Sequence, residues 1–360
     1  MSLRKTYSIA CALVAWAACA ADKPAAPATN SAVTRTYRLG FSGFPPTPDI
    51  SRAASVIAIW LPRADAAIIH LEPKWTELLS GESPTAIAHR EFAGLVNLYR
   101  SRNLDIVVVI DATNGVDRTA QAAELVAAGR SITEPSVQAL YRAWARAVVA
   151  EVHPVALGLA AETNLIRFGA PARVYQAVVQ MANDAARDVR LEDPTLPLFV
   201  SVQVDLAWGR LQGTNQYVGV EQDFRDFPFT QWIGLSSYPF LAGFTDPAQM
   251  PDDWYRKPLN GRAIPVVITE GGWSSANTSA VTSSPARQAH WIARQMQLAD
   301  QVGANYVFQL LFADIDLVAF QAQFDPRVLP FARIGMVDSV LAPKPALAVW
   351  DSTFARARTR

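Results

Sequence analysis

Strand-like and helix-like stretches alternate along most of this 360-residue chain. Eight short segments are dominated by valine, isoleucine, leucine and other apolar residues, which is typical of parallel strands that are covered on the outside by helices. The predicted strands are Tyr37–Phe44, Ala66–Leu71, Leu104–Asp111, Val155–Glu162, Leu198–Asp205, Trp232–Tyr238, Pro265–Glu270 and Tyr306–Phe312.

The stretches between these strands have the apolar period of amphipathic helices. Two of them, Thr85–Arg100 and Ala286–Val302, each follow a Ser-Pro pair, in which serine caps the helix and proline fits its first turn. Ser136–Val152 and Ala172–Val189 have the same period. Eight such units over roughly 320 residues predict an α/β fold, a single-domain (β/α)8 TIM barrel spanning residues 36–355.

A doubly wound open sheet is the main structural alternative. Such a sheet normally has a glycine-rich phosphate loop after its first strand. The segment Leu39–Pro46 does not have this pattern, so the barrel is the better prediction.

The N-terminus resembles an export signal. Basic residues precede the apolar run Ile9–Ala18, which is too short to span a bilayer and ends on small residues. We predict a signal peptide over residues 1–20 and a Pro/Ala-rich linker over residues 21–35. Cleavage after Ala20 and lipidation of Cys19 both fit the sequence, so the protein is expected to be secreted, periplasmic or lipid-anchored to a bacterial envelope.

Composition argues against several classes of function. The formal net charge is +0, and no phosphate loop or nucleic-acid module is present, so we expect no nucleic-acid partner. No other apolar run is long enough for a membrane span. The histidines lack zinc-ligand spacing, and both cysteines lie in the signal. We therefore expect no metal or cofactor, and we also expect a monomer.

Two of the predicted strands end on glutamate, at Glu162 and Glu270. A carboxylate at the end of a buried strand is costly to desolvate and therefore needs a partner or a function. Strands four and seven lie on opposite sides of an eight-stranded barrel, so these side chains can face each other across the end of the barrel where active sites form. Two such carboxyl groups are what a retaining glycoside hydrolase uses as acid/base and nucleophile.

The sequence around strands six and seven resembles a known family. Ile233–Phe240 reads IGLSSYPF and Pro265–Ser275 reads PVVITEGGWSS. Within the clan A glycoside hydrolases, these segments are similar to family 53, the endo-β-1,4-galactanases. The resemblance implies that Glu270 is the nucleophile, that Glu162 is the acid/base, and that Tyr238 hydrogen-bonds the nucleophile. It also implies that Trp273 lines the sugar groove.

The chain departs from the clan pattern at several positions. Ala161 precedes Glu162 where the clan usually has asparagine, and strand two has no arginine. His70 can occupy the space of that arginine. The tryptophan common at the end of strand eight is replaced within Phe308–Phe312, and we predict that Asn164 brings an amide to the site in place of the missing asparagine.

Further polar and aromatic residues at the strand ends are candidate substrate-binding groups. Each also has a structural interpretation, as core packing or as a hydrogen-bonded cap. They are His70, Glu72, Asp111, Asn114, Gln203, Trp208, Trp273 and Gln309.

Two functions therefore remain open. The first is a retaining glycoside hydrolase that cleaves a polysaccharide or oligosaccharide. The second is a catalytically weakened barrel that binds carbohydrate at the cell envelope without hydrolysis. Widely separated carboxyl groups or a plugged site would favour the second.

Overall fold

The strands form a closed parallel barrel in which each strand pairs with its neighbours in chain order and the last pairs with the first. The computed structural model describes residues 34–278, 282–320 and 325–359. The predicted single-domain TIM barrel is confirmed. Its strands are β1 (Arg38–Ser42), β2 (Ala66–Leu71), β3 (Asp105–Ile110), β4 (Ala156–Gly158), β5 (Leu198–Gln203), β6 (Trp232–Ser237), β7 (Val266–Gly271) and β8 (Tyr306–Gln309).

Helices surround the barrel, and the four helices predicted from periodicity lie where the sequence placed them. The α-helices are α1 (Ile50–Trp60), α2 (Trp75–Leu79), α3 (Pro84–Ser101), α4 (Ala123–Ala127), α5 (Pro135–Val152), α6 (Thr163–Gly169), α7 (Ala172–Glu192), α8 (Val204–Ala207), α9 (Glu221–Asp226), α10 (Pro285–Val302) and α11 (Pro345–Phe354). Short 3-10 turns lie at Leu61–Arg63, Pro239–Ala242, Pro247–Gln249, Lys257–Leu259 and Pro326–Phe331.

The interior of the barrel is filled by apolar side chains from alternate strand positions. One of them, Phe199, needs the space left by Gly158, because a Cβ on that glycine would lie 2.8 Å from its ring. The other main residues of this inner cluster are Ala66, Ile68, Val107, Val109, Ala156, Val267, Tyr306 and Phe308. A larger cluster packs between the strands and the helices, so the barrel is a solid core whose loops form the site.

Strand β4 is shorter than predicted, since it ends at Gly158 rather than at Glu162. The backbone beyond it still pairs with β5, through Leu159 N to Phe199 O (2.9 Å) and Ser201 N to Ala160 O (3.0 Å). Glu162 itself has a left-handed conformation, with φ 48° and ψ 49°. This turn breaks the extended strand and starts α6.

The chain begins to pack against the barrel before residue 36. Arg35 is buried, ion-pairs with Asp65 at 2.6 Å and forms a parallel bridge with Arg358. The predicted signal peptide, including Cys19, and the linker up to residue 33 lie outside the described residues. Within the described part of the chain, no helix is long and apolar enough to cross a membrane.

Candidate active site

Glu162 lies at the mouth of the barrel, the end where the carboxyl ends of the strands meet. Left-handed backbone is uncommon for a residue other than glycine, and here the Glu162 N–H donates to Ser201 Oγ at 2.9 Å. Ser236 Oγ donates to Glu162 Oε1 at 2.6 Å. Serines from β5 and β6 therefore hold both the backbone and the side chain of Glu162.

The Glu162 carboxyl is protonated under mildly acidic conditions. Burial, reinforced by the negative charge of Glu270, raises its pKa to about 7, although Arg118 and Ser236 act in the opposite direction. A carboxyl that keeps its proton up to neutral pH can act as a general acid.

Glu270 at the end of β7 is ionised where Glu162 is protonated. Tyr238 donates its hydroxyl hydrogen to Glu270 Oε2 at 3.1 Å, and His70 Nδ1 lies 3.4 Å from Oε1. Burial by itself would raise the pKa of Glu270, but His70, Arg118 and Tyr238 together lower it to about 2. This carboxylate is therefore ionised across the physiological range.

Arg118 joins the two glutamates, and sequence reasoning missed it. Its Nε lies 3.6 Å from Glu162 Oε2, and its Nη2 lies 3.4 Å from Glu270 Oε1 and 3.1 Å from Asp111 Oδ2. Because both glutamates contact one guanidinium group, the two carboxyl groups cannot be widely separated. Arg118 lies in the loop between β3 and α4, where its hydrogen bond to Gly115 O helps hold it; no local motif indicated this position.

The mouth is nearly closed in this structure. Glu162 and Glu270 are only 7% and 5% exposed. Phe331, from the 3-10 turn after β8, packs edge-on against Tyr238 at a ring distance of 4.8 Å. Arg327 in the same turn ion-pairs with Asp117 in the loop after β3, so the segments after β3 and β8 meet over the site.

Asp111 and Glu72 form an acidic pair beside Arg118. Asp111 is 5% exposed, and its Oδ1 has no hydrogen-bond partner among the described residues. Glu72 is exposed and accepts a hydrogen bond from Gly115 N at 2.7 Å. A Cβ on Gly115 would lie 2.6 Å from Glu72 Oε1 and 3.5 Å from Asp111 Oδ2, which places both carboxylates against this glycine.

The two predicted aromatic surfaces differ in exposure. Trp273 is fully buried, packs against Phe240 and Trp291, and donates Nε1–H to Ser283 Oγ at 3.0 Å. It therefore presents no face to a ligand here. Trp208 is half-buried and stacks on Trp254 at a ring distance of 5.0 Å.

The predicted amide side chains mainly hold the backbone around the site. Asn164 makes two 2.8 Å hydrogen bonds with the backbone of Gln203. The Gln203 side chain caps α8 and donates to Asp205. Asn114 Oδ1 accepts two N–H groups of its own loop, and Gln309 faces α10, where it bonds to Gln295. Their direct roles toward a substrate stay predictions.

The closed eight-stranded barrel places Glu162 just after β4 and Glu270 at the end of β7. No protein-family model and no curated protein matches the chain. Solved structures do share its fold. Exo-beta-1,4-mannosidase Op5Man5 from Opitutaceae bacterium strain TAV5 aligns with a TM-score of 0.63 and 15% identity over 90% of this chain, which spans 60% of the mannosidase chain.

Two further structures place the same fold in other glycoside hydrolase families. GH5_18 from Streptomyces cattleya, in complex with GlcNAc, aligns with a TM-score of 0.62 and 14% identity over 89% of this chain and 80% of its own. The GH53 catalytic domain from Ignisphaera aggregans aligns with a TM-score of 0.57 and 10% identity over 82% of this chain and 88% of its own. At these identities the likeness establishes the fold.

Proposed function

We propose that this protein is a retaining glycoside hydrolase that cleaves a polysaccharide or oligosaccharide. The observation that carries the proposal is the contrast between two neighbouring carboxyl groups. Glu162 has a pKa raised to about 7, whereas Glu270 has a pKa lowered to about 2, and both contact Arg118. Pairs of carboxyl groups whose environments separate their pKa values are typical of an acid and a nucleophile.

The reaction would proceed in two displacements. Glu270 attacks the anomeric carbon while Glu162 gives its proton to the leaving oxygen, so the glycosidic bond breaks and a glycosyl-enzyme ester forms. Glu162, now ionised, then takes a proton from water, whose oxygen attacks the same carbon and releases Glu270. Tyr238 and His70 keep Glu270 ionised through the contacts described above.

The substrate class has a first candidate. The likeness of strands six and seven to family 53, together with the shared fold of the GH53 catalytic domain, supports a galactanase-like specificity. β-1,4-galactan is therefore the first glycan to test, followed by β-mannan, because a mannosidase shares the fold.

A carbohydrate-binding barrel without hydrolysis is the second candidate. It is favoured by the nearly closed mouth, in which Arg118 lies between Glu162 and Glu270, and by Ala161 in place of the clan's asparagine. The predicted export signal would place such a protein at the cell envelope.

A glycan panel with the wild type, Glu270→Gln and Glu162→Gln distinguishes the two. We expect Glu270→Gln to lose activity on every glycan, because the nucleophile is gone. Glu162→Gln should keep activity on aryl glycosides with good leaving groups, which need little protonation. Glu192→Gln, which changes an exposed carboxylate on α7, is the control and should remain fully active.

Two further measurements decide the outcome. Proton NMR of the first product formed should show the anomeric configuration of the substrate; an inverted product would contradict the double displacement. If the wild type cleaves no glycan but calorimetry detects binding to one of them, the binding candidate replaces the hydrolase.

A further inference from the structure

A positive charge bridges Glu162 and Glu270 in this structure. The guanidinium of Arg118 contacts both glutamates and Asp111. In a retaining mechanism, the sugar ring that reacts must lie between the acid and the nucleophile. A sugar ring that enters this space would compete with the guanidinium for the two carboxyl groups.

We propose that the sugar bound there carries a free amino group, and that its ammonium form takes the place of the Arg118 guanidinium beside Asp111. This inference rests on the proposed function, since it names the substrate class of the same site. The ligand class is a glycan that contains a de-N-acetylated amino sugar.

Charge balance supports a cationic ligand. The carboxyl groups of Glu72, Asp111 and Glu270 lie around Arg118, together with that of Glu162, which is protonated at mildly acidic pH. Arg118 is the permanently charged cation that contacts Asp111, Glu162 and Glu270. If a neutral sugar displaced Arg118, the remaining carboxylates would lose their main counter-charge at a site with little access to water. An ammonium group keeps the balance unchanged.

Asp111 is the group most dependent on this cation. It is 5% exposed, its Oδ2 pairs with Arg118 at 3.1 Å, and its Oδ1 is without a hydrogen-bond partner in the described part of the chain. Burial and the neighbouring carboxyl groups raise the pKa of Asp111 well above its ordinary value, although Arg118 acts in the opposite direction. A buried oxygen without a donor can accept a hydrogen bond from an ammonium group.

Glu72 extends the acidic pair toward solvent. It lies against the same glycine as Asp111 and is exposed at the rim. A cationic sugar approaching the mouth would therefore meet Glu72 first and Asp111 deeper in the site. The hydrogen bond from Gly115 N to Glu72 Oε1 (2.7 Å) ties the loop after β3 to Glu72.

A matched series of oligosaccharides tests the proposal. De-N-acetylated chito-oligosaccharides, chito-oligosaccharides and cello-oligosaccharides share one backbone and linkage and differ only at carbon 2, which bears an amino, acetamido or hydroxyl group. The methyl β-glycosides of galactosamine, N-acetylgalactosamine and galactose provide the same comparison for a second epimer. Binding is measured by calorimetry at pH 6 with Glu162→Gln, which removes the acid but not a charge, because Glu162 is protonated there.

We expect the amino compound of at least one series to bind roughly tenfold or more tightly than both of its neutral counterparts, the effect of one partly desolvated ion pair. Asp111→Asn and Glu72→Gln should each reduce this preference, and Glu72→Gln keeps the oxygen that accepts the Gly115 N–H. Asp252→Asn, which removes a carboxylate paired with Arg294 on the surface, should leave it unchanged.

The results separate this inference from the proposed function. If no amino compound of either series binds more tightly than its neutral counterparts, including the case in which none of them binds, or if Asp111→Asn and Glu72→Gln leave the preference intact, the amino-sugar inference is wrong. Hydrolysis of a neutral glycan that depends on Glu270 would still support the hydrolase. Conversely, selective binding of an amino glycan that the wild type never cleaves would support the inference and overturn the hydrolase.

Discussion

Two serine hydroxyls determine how Glu162 is presented at the mouth. Ser201 accepts from its backbone N–H, and Ser236 donates to its carboxyl group. The first contact supports a left-handed conformation that few residues adopt. The second lowers the pKa of Glu162, in opposition to the larger effect of burial.

Replacing Ser236 should therefore change the titration of Glu162. In Ser236→Ala the hydrogen bond to the ionised carboxylate is lost, so we expect the pKa of Glu162 to rise above about 7. If Glu162 is the acid, the alkaline limb of kcat/KM moves to higher pH by the same amount. Carbon-13 NMR titration of the labelled glutamates measures the shift directly.

A buried serine on another strand is a matched control for this prediction. Ser42 in β1 donates its hydroxyl to Leu310 O, so Ser42→Ala should leave the titration of Glu162 unchanged. An unchanged pKa in Ser236→Ala would mean that the 2.6 Å hydrogen bond does not favour the ionised form.

Trp273 is the residue for which the predicted role and the packing diverge most. Its ring is fully buried between Phe240 and Trp291. Trp273→Ala should lower the free energy of unfolding by about 3–5 kcal/mol, the usual cost of a large cavity. Urea unfolding checks this, with Trp208→Ala as the comparison, since Trp208 is half-buried. A loss of glycan binding with unchanged stability would instead support the sugar-platform role.

At the scale of elements, the strands are held closely enough that glycine is required at particular positions. Gly40 in β1 pairs with Ala66 in β2, and a Cβ there would lie 2.1 Å from the Ala66 carbonyl oxygen. The corresponding contact at Gly158 in β4 is with the ring of Phe199 at 2.8 Å. A ring can rotate, but a paired strand cannot move without disturbing the barrel.

We therefore expect Gly40→Ala to destabilise the protein by about 3 kcal/mol or more, and Gly158→Ala by less. Thermal and urea unfolding of both variants measure the difference. Equal losses would show that β1 and β2 can separate locally at little cost.

Sequence periodicity predicted the elements well because parallel strands and amphipathic helices have direct apolar patterns. It also placed Glu162 and Glu270 at the mouth, since strand ends determine that position. The outward direction of Gln309 was available from the alternation of Tyr306 and Phe308, which both face the barrel interior. Arg118 was not predictable, because its position depends on how the loop after β3 folds.

At the scale of the whole molecule, buried carboxyl groups make stability depend on pH. Burial raises the pKa of Asp205 to about 6 and that of Glu162 to about 7. Both groups favour the folded state when protonated, so their contribution is complete below about pH 4 and is lost as pH rises through these values. Glu270, with a pKa lowered to about 2, contributes above about pH 4.5 and loses this as pH falls toward 2.

The free energy of unfolding should accordingly decrease between about pH 4 and pH 7. Asp205 alone accounts for up to about 3 kcal/mol of this change, because burial raises its pKa from the ordinary value of 3.8 to about 6. Asp205→Asn cannot ionise and should flatten the slope, while Asp252→Asn, an exposed control, should retain it. Urea titrations at several pH values decide the matter; a wild-type slope in Asp205→Asn would contradict it.

The contact between Arg327 and Asp117 should respond to the salt concentration around the protein. It is a partly exposed ion pair between the segments after β8 and β3, with Arg327 half exposed, whereas the contacts of Arg118 are buried. Dissolved ions screen exposed charges far more than buried ones. Raising the ionic strength should therefore weaken the ion pair between Arg327 and Asp117 while the contacts of Arg118 stay intact. The entrance to the site should then be more open in brackish water than in fresh water.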